Sequence, residues 1–139
     1  MNAVADTSFV VALITRTETY HEVCFAASKT VRVIYLPQTT LAEVGYLLSK
    51  RYGNLVMARF LAQLPQSKFR LVPLDDTDIA RTAELLQKYA DSRVDFVDAT
   101  IAAVAERLNI TRILTLDRRD FALIRPKHVA QFEILPEKA

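Results

Sequence analysis

Four acidic residues stand where a carboxylate could take part in chemistry: Asp6, Glu43, Asp98 and Asp117. Asp6 and Asp117 each follow a short apolar stretch and are expected at the ends of strands, whereas Glu43 and Asp98 fall in the first or second turn of predicted helices. Like charges brought close together must take up protons or hold a cation. If the four side chains meet, oxygen ligands of this kind suit a hard cation, Mg²⁺ or Mn²⁺, and a metal at a sheet edge suits phosphodiester hydrolysis.

Each of these acids also has a purely local explanation. Asp6 opens the sequence Asp-Thr-Ser at a helix start, where Asp is a preferred N-cap residue. Glu43 stands three residues after Thr40 and can close a capping box with it. Asp117 can cap the turn that follows it, and Asp98 can pair with a nearby arginine. Considered singly, the positions leave both explanations open.

The stretch from residue 94 to residue 121 carries the most local information. From Asp95 to Leu108 the apolar residues recur with the 3.6-residue period of an amphipathic helix. Asn109 tolerates the left-handed conformation and is expected to end that helix. Residues 112–116 are then predicted to form a short buried strand that ends on Asp117. Ligands bind beyond the carboxyl ends of strands in an open parallel sheet, so Asp117 is expected to face a crevice.

Strands and helices alternate along the rest of the chain. Strands are predicted at residues 2–5, 31–36, 69–72, 112–116 and 132–135, and helices at 9–14, 19–29, 40–52, 54–64, 79–89 and 95–108, with a turn or short helix at 121–124. The acids of residues 75–78 are interpreted as a mainly solvent-facing helix start, which the helix dipole favours. Crossover connections of this kind predict a mainly parallel sheet with helices on both faces. We expect a three-layer α/β domain of four or five strands.

Composition narrows the class of protein. The 139 residues are 51% hydrophobic with only two glycines, which predicts one compact domain over residues 1–139. A single cysteine excludes an intrachain disulfide and is typical of a reducing cytosol, so a cytoplasmic location is expected. Neither a signal-peptide pattern nor a run of ~20 apolar residues is present, so export and membrane insertion are not expected. The formal charge of +2 indicates no general affinity for nucleic acid, although it is compatible with a local basic rim.

Four short motifs occur in order along nearly the whole chain. They are Asp-Thr-Ser from residue 6, Thr-Leu-Ala-Glu-Val from residue 40, D-A-x-I-A-A-x-A from residue 98 and T-x-D-x-x-D-F from residue 115. One such motif alone is weak, whereas four in this order and spacing, in a chain of this length, are fairly specific. On these residues the chain resembles the PIN-domain family, and specifically the VapC-type toxin ribonucleases of bacterial and archaeal toxin–antitoxin pairs.

The resemblance implies a Mg²⁺-dependent (or Mn²⁺-dependent) endoribonuclease that serves as the toxin of a type II toxin–antitoxin pair. It implies a metal held by Asp6, Asp98 and Asp117 together with Glu43. Four further residues are implied near the site. Thr7 and Thr115 would position water or a ligand carboxylate, and Asp95 and Asp120 would have a supporting or structural role.

The resemblance also implies partners. A cognate antitoxin would lay an apolar segment across the helices near the N-terminus and insert a basic side chain at the acidic site, and the chain would form a homodimer. RNA must approach an acidic pocket, so a basic rim has to offset the acids. The nearest basic residues by sequence position are Lys50, Arg51, Arg93, Arg118 and Arg119.

Two other functions remain open. One is a non-catalytic regulatory or binding module with the same PIN-like fold. The other is a receiver-like α/β domain that accepts a phosphoryl group. Such a domain requires an acidic pair after its first strand and a lysine after a late strand, whereas here Thr7 follows Asp6 and the late strand is expected to end in Asp117.

Overall fold

The computed structural model describes residues 1–137. It contains five strands: β1 (Asn2–Ala5), β2 (Val33–Pro37), β3 (Phe69–Val72), β4 (Arg112–Leu114) and β5 (Glu133–Leu135). Its α-helices are α1 (Thr7–Ile14), α2 (His21–Ser28), α3 (Gln38–Tyr52), α4 (Asn54–Gln63), α5 (Asp76–Lys88), α6 (Phe96–Arg107) and α7 (Arg118–Leu123), and a 3₁₀ helix, Leu64–Gln66, follows α4. None of the helices within this range is both long and apolar enough to span a membrane.

The five strands form one parallel sheet in the order β3-β2-β1-β4-β5. The central strand is β1, in which Val4 pairs with Tyr35 of β2 and with Ile113 of β4. The predicted parallel α/β sheet is therefore confirmed, and it has five strands. Because β1 and β4 are neighbours, the chain segments that follow them begin side by side at one edge of the sheet.

The alternation of side chains along β1 divides the core into two layers. Ala3 and Ala5 pack with apolar residues of α1, α2, α3 and α4 on one face of the sheet. Val4, between them, packs with residues of α5, α6 and α7 on the other face. A buried parallel strand presents apolar residues to both faces, which explains why Ala3, Val4 and Ala5 are all apolar. The predicted three-layer arrangement is confirmed.

One predicted strand end was wrong, and one of the three acids at a predicted helix start is buried although the other two face solvent. The strand predicted at residues 112–116 ends at Leu114. The Thr115 N–H still donates to the Leu135 backbone oxygen, but the Leu116 N–H donates to the Ser8 hydroxyl instead of to a neighbouring strand. The acids at residues 75–78 do cap α5, through a capping box between Asp75 and Asp78, but Asp78 does not face solvent. It is 1% exposed and accepts two hydrogen bonds of 2.9 Å from Arg107.

Candidate active site

A cavity of about 410 Å³ opens beyond the carboxyl ends of β1 and β4. All four of the predicted carboxylates line it, and so do three further acids. The acidic lining residues are Asp6, Glu18, Glu43, Asp95, Asp98, Asp117 and Asp120. The side chains come from both helical layers and from the loops after two neighbouring strands, which is the placement that a parallel sheet favours for a ligand site.

Asp6 is both the N-cap of α1 and a member of the cavity lining. Its carboxylate accepts hydrogen bonds from the Thr7 backbone N–H at 2.8 Å and from the Thr115 hydroxyl at 2.8 Å. The side chain is 7% exposed, and this burial raises its pKa to about 6, against the lowering effect of the two hydrogen bonds. The charges of Glu43 and Asp95 raise the same pKa further. The capping explanation and the functional one are therefore compatible.

Asp98 lies in the first turn of α6 and shares a reciprocal pair of hydrogen bonds with Asp95. The Asp98 backbone N–H donates to the Asp95 carboxylate at 2.9 Å, and the Asp95 backbone N–H donates to the Asp98 carboxylate at 3.1 Å. Burial raises the pKa of Asp98, and the negative charges of Asp95, Asp6 and Asp120 add to the rise. Within residues 1–137 Asp98 has no arginine or lysine in ion-pair distance, so the proposed pairing with an arginine is wrong.

Glu43 is half-buried in the cavity wall and owes its position to the packing of α3. The helix begins at Gln38 after Pro37, so Thr40 lies inside it and is not a cap. The Thr40 hydroxyl donates instead to the backbone oxygen of Ala5 at 3.1 Å, which ties α3 to the end of β1 beside Asp6. The capping-box explanation of Glu43 is therefore wrong.

The segment after β4 supplies two acids. Asp117 is the residue before α7, and its backbone N–H donates to the Thr115 hydroxyl at 2.9 Å. Asp120 is 5% exposed and lines the cavity, so it is the more buried of the two. Burial raises the pKa of Asp120, and the neighbouring Asp117 raises it further. The sequence had placed Asp120 only near the site.

The hydroxyl residues of the site form a connected group. Thr115 is fully buried and bonds to Asp6 and to the backbone of Asp117, as expected of a residue that orients carboxylates. Thr7 lines the cavity, and its hydroxyl is buried with no hydrogen-bond partner within residues 1–137. Ser8 was missed as a site residue, although its hydroxyl accepts from the Leu116 N–H at 3.1 Å and lies 3.5 Å from Asp6.

The predicted basic residues are not equivalent. Arg51 lines the cavity and lies 3.5 Å from Glu18, a lining acid that the sequence pattern did not reveal because the pair is 33 positions apart. Lys50 is exposed on the same helix, and Arg93 is exposed but close enough for its charge to lower the pKa of Asp120.

The two arginines at the start of α7 differ from each other. Arg119 is exposed, with neither a hydrogen bond nor an ion pair among the described side chains. The guanidinium of Arg118 donates to the backbone oxygens of Ile134 at 3.0 Å and Pro136 at 2.6 Å. These bonds give Arg118 a structural role beside β5.

The donor set fits a hard divalent cation by type, since it offers carboxylates and hydroxyls and no histidine or cysteine. Asp6 and Asp98 are buried carboxyls whose charged forms burial disfavours, and a cation would offset that cost. Within the described range no three acidic, histidine or cysteine side chains converge into a ready-made ligand cluster. Mg²⁺ commonly keeps several waters and takes only one or two carboxylates, so a site for it does not require such a cluster.

The sequence is similar to a known protein family and to a curated relative. A model of the PIN domain matches residues 3–125. The ribonuclease VapC26 of Mycobacterium tuberculosis is 29% identical over 136 residues, a match that spans 96% of this chain and 99% of that protein.

Solved structures of similar fold include a toxin and a DNA-bound assembly. One is the VapC20 toxin of Mycobacterium tuberculosis, described as cleaving the sarcin-ricin loop, with a TM-score of 0.72 and 22% identity over 80% of this chain and 86% of that one. Another is VapBC2 from Rickettsia felis bound to promoter DNA, with a TM-score of 0.71 and 17% identity over 96% and 98% of the two chains. The acidic cavity, the parallel sheet and a family match over most of the sequence lead to one conclusion: this chain belongs to the PIN-domain family.

Proposed function

We propose that this protein is a metal-dependent endoribonuclease that hydrolyses RNA phosphodiester bonds and acts as the toxin of a type II toxin–antitoxin pair. The observation that carries the proposal is that Asp6, Glu43, Asp98 and Asp117, from positions far apart in the sequence, all line one cavity. The similarity to the ribonuclease VapC26 over nearly the whole chain supports the same reaction. The chain would act as a single PIN domain over residues 1–139.

The metal would be held by Asp6, Asp98 and Asp117 together with Glu43. When bound, Mg²⁺ or Mn²⁺ lowers the pKa of a water molecule and stabilises the negative charge that develops on the leaving oxygen. Glu43 is placed in the wall of the same cavity, where its carboxylate can accept a proton from the attacking water.

The surrounding residues would orient these groups. The Thr115 hydroxyl holds the Asp6 carboxylate, and Asp95 holds Asp98 through the reciprocal hydrogen bonds of the capping box. The buried hydroxyl of Thr7 is available to a bound water or to a ligand oxygen. Fixing the carboxylates before the substrate arrives reduces the reorganisation that the reaction requires.

We also propose three partners. RNA would approach over Lys50, Arg51, Arg93 and Arg119, the basic residues whose side chains lie near the cavity or remain exposed. A cognate antitoxin would cover the cavity, a proposal supported by the similarity to the VapBC2 assembly. A second copy of the chain would complete a homodimer, and light scattering of the purified protein can test this oligomeric state. We propose that the protein acts in the cytoplasm.

The proposal is tested by incubating the protein with single-stranded RNA and Mg²⁺. We expect cleavage that stops on addition of EDTA and that is lost in Asp98→Asn. Asparagine can still accept the hydrogen bond from the Asp95 N–H, so circular dichroism should show an intact fold. Asp76→Asn is the matched control, because Asp76 is an exposed acid in the first turn of another helix.

Two outcomes would contradict the proposed chemistry. Cleavage that survives Asp98→Asn would remove the catalytic role of the carboxylate cavity. A protein that binds an antitoxin and cleaves no RNA with either metal would instead be the non-catalytic PIN module.

A further inference from the structure

The face of α3 next to the cavity carries two parallel rows of side chains. Glu43, Leu47 and Arg51 line the cavity and are spaced four residues apart, so they lie on one side of the helix. Tyr46 and Lys50 are also four apart and form the adjacent row on the outer side. Neither residue lines the cavity, so this second row lies just outside its α3 wall, on the solvent side.

Tyr46 is 63% exposed, whereas the other exposed aromatic residues, Tyr20, Phe25 and Phe96, are 43%, 48% and 49% exposed. Among the described side chains its only hydrogen-bond and cation–π partner is Lys50, whose Nζ lies 5.4 Å from the ring centroid and 3.4 Å from the phenolic oxygen. A ring this exposed adds little to the core. Exposed aromatic rings beside positive charge are the surfaces on which unpaired nucleic-acid bases stack.

The charges on this side of the cavity complete the arrangement. Among the described residues that line the cavity, Arg51 is the single basic one, opposite seven acids. The carboxylate of Glu18 lies 3.5 Å from the Arg51 guanidinium and also accepts a hydrogen bond from the Tyr52 hydroxyl. Glu18 therefore holds Arg51 at the cavity edge beside Lys50, where the two cations can meet successive phosphates.

We propose that an α3 rim, made of Tyr46, Lys50 and Arg51, binds unpaired RNA. One base stacks on the Tyr46 ring, and the adjoining phosphates contact Lys50 and Arg51. This inference rests on the proposed function and assigns three residues of α3 to substrate binding. The base at Tyr46 has to be unpaired, because a base inside a duplex cannot present its face to a side chain.

The test measures binding, not cleavage. A fluorescently labelled single-stranded RNA is titrated by anisotropy with the Asp98→Asn protein in Mg²⁺, and a gel confirms that the RNA stays intact. Adding Tyr46→Ala should weaken binding about 5- to 150-fold, the range that corresponds to one lost stacking contact. Tyr46→Phe should bind like the parent, because it keeps the ring. A duplex RNA of the same sequence should bind Tyr46→Ala and its parent equally.

The chain provides a matched control on α2. Phe25 is 48% exposed, and Lys29, four residues later, lies 4.5 Å from its ring centroid, which repeats the Tyr46 and Lys50 arrangement away from the cavity lining. Phe25→Ala should therefore leave the affinity for single-stranded RNA unchanged.

Three results would overturn the inference. Tyr46→Ala could bind single-stranded RNA as tightly as its parent, or it could lose as much affinity for duplex RNA as for single-stranded RNA. It could also change the oligomeric state of the protein and leave the affinity unchanged. The last would make the α3 rim an interface between copies of the chain. Cleavage by the unmodified protein is measured in parallel. If the protein cleaves RNA but Tyr46→Ala does not weaken binding, only the role of the α3 rim is overturned. If Tyr46→Ala weakens binding but the unmodified protein cleaves no RNA, only the proposed reaction is overturned.

Discussion

The hydroxyls of Thr39 and Thr100 share a hydrogen bond of 2.6 Å, although the two residues are 61 positions apart. Thr100 also donates to the Val97 backbone oxygen at 2.7 Å, so Thr39 is the donor in the shared bond. Thr39 lies in α3, four residues before Glu43, and Thr100 lies in α6, two residues after Asp98. Since α3 and α6 pack on opposite faces of the sheet, this bond joins the two layers that carry the cavity carboxylates.

Replacing Thr39 with valine should therefore affect the reaction more than the fold. Loss of one hydrogen bond costs about 1 kcal/mol of unfolding free energy, which urea denaturation can measure. We expect the RNA cleavage rate at saturating Mg²⁺ to fall about tenfold or more, because a small misplacement of catalytic groups is costly. Thr39→Ser keeps the hydroxyl and should restore both values. A valine variant with the parent rate would show that the bond does not position Glu43.

The buried carboxyl of Asp6 predicts an unusual pH dependence. Its pKa is about 6 in the folded protein, against 3.8 for an unperturbed aspartate, so the folded state retains the proton more strongly. The contribution of the Asp6 carboxyl to the unfolding free energy is therefore fully present below pH 3.8, the unperturbed pKa, and is lost as the pH rises through 6. The full loss is about 3 kcal/mol.

Asp6→Asn tests this linkage in metal-free buffer. The difference in unfolding free energy between Asp6→Asn and the parent should grow in favour of the variant between pH 4 and pH 6, since asparagine carries no charge to bury. Added Mg²⁺ should reduce the difference by stabilising only the parent, while the variant remains inactive on RNA. A difference that does not vary with pH in EDTA would contradict the role of burial at Asp6.

Much of the fold was predictable because its signals are local. The apolar sequence of β1, the helical period before Asn109 and the apolar stretches ended by Pro37 and Pro73 all act within a few residues. The convergence of Asp6 and Asp117 followed from the rule that parallel strands end at one edge. Neither the end of β4 nor the start of α3 was predicted, because contacts with distant residues decide both.

The part of the site that was missed depends on side chains that meet only in the folded chain. Glu18 reaches Arg51 across 33 positions, and no local pattern distinguishes it from a solvent-facing acid. The burial of Asp78, which lies outside the cavity, was missed for the same reason. Its helix-start position was recognised, but its partner Arg107 lies 29 positions later.

The ion pair of Asp78 and Arg107 should contribute strongly to stability and little to the reaction. Asp78 is 1% exposed, and Arg107→Met would leave its charge buried without a counter-ion. We expect a loss of about 3 kcal/mol, measured by urea denaturation, with unchanged RNA cleavage at temperatures where the variant is folded. Arg112→Met is the comparison, because its partner Glu133 has a side chain that is 52% exposed. That change should cost less than about 1 kcal/mol. Equal losses would contradict the importance of burial.

Asn109 offers a backbone test in the connection from α6 to β4. It has a φ of 56°, the left-handed region that the sequence predicted for the end of this helix, and its N–H donates to the Glu106 backbone oxygen at 3.1 Å. Asn109→Gly should therefore leave the unfolding free energy equal or slightly higher. Asn109→Ala should lower it by about 1 kcal/mol, because a Cβ without a compensating polar group is strained there. Urea midpoints measured side by side decide the matter, and an alanine variant as stable as the glycine variant would show that this backbone conformation carries no strain.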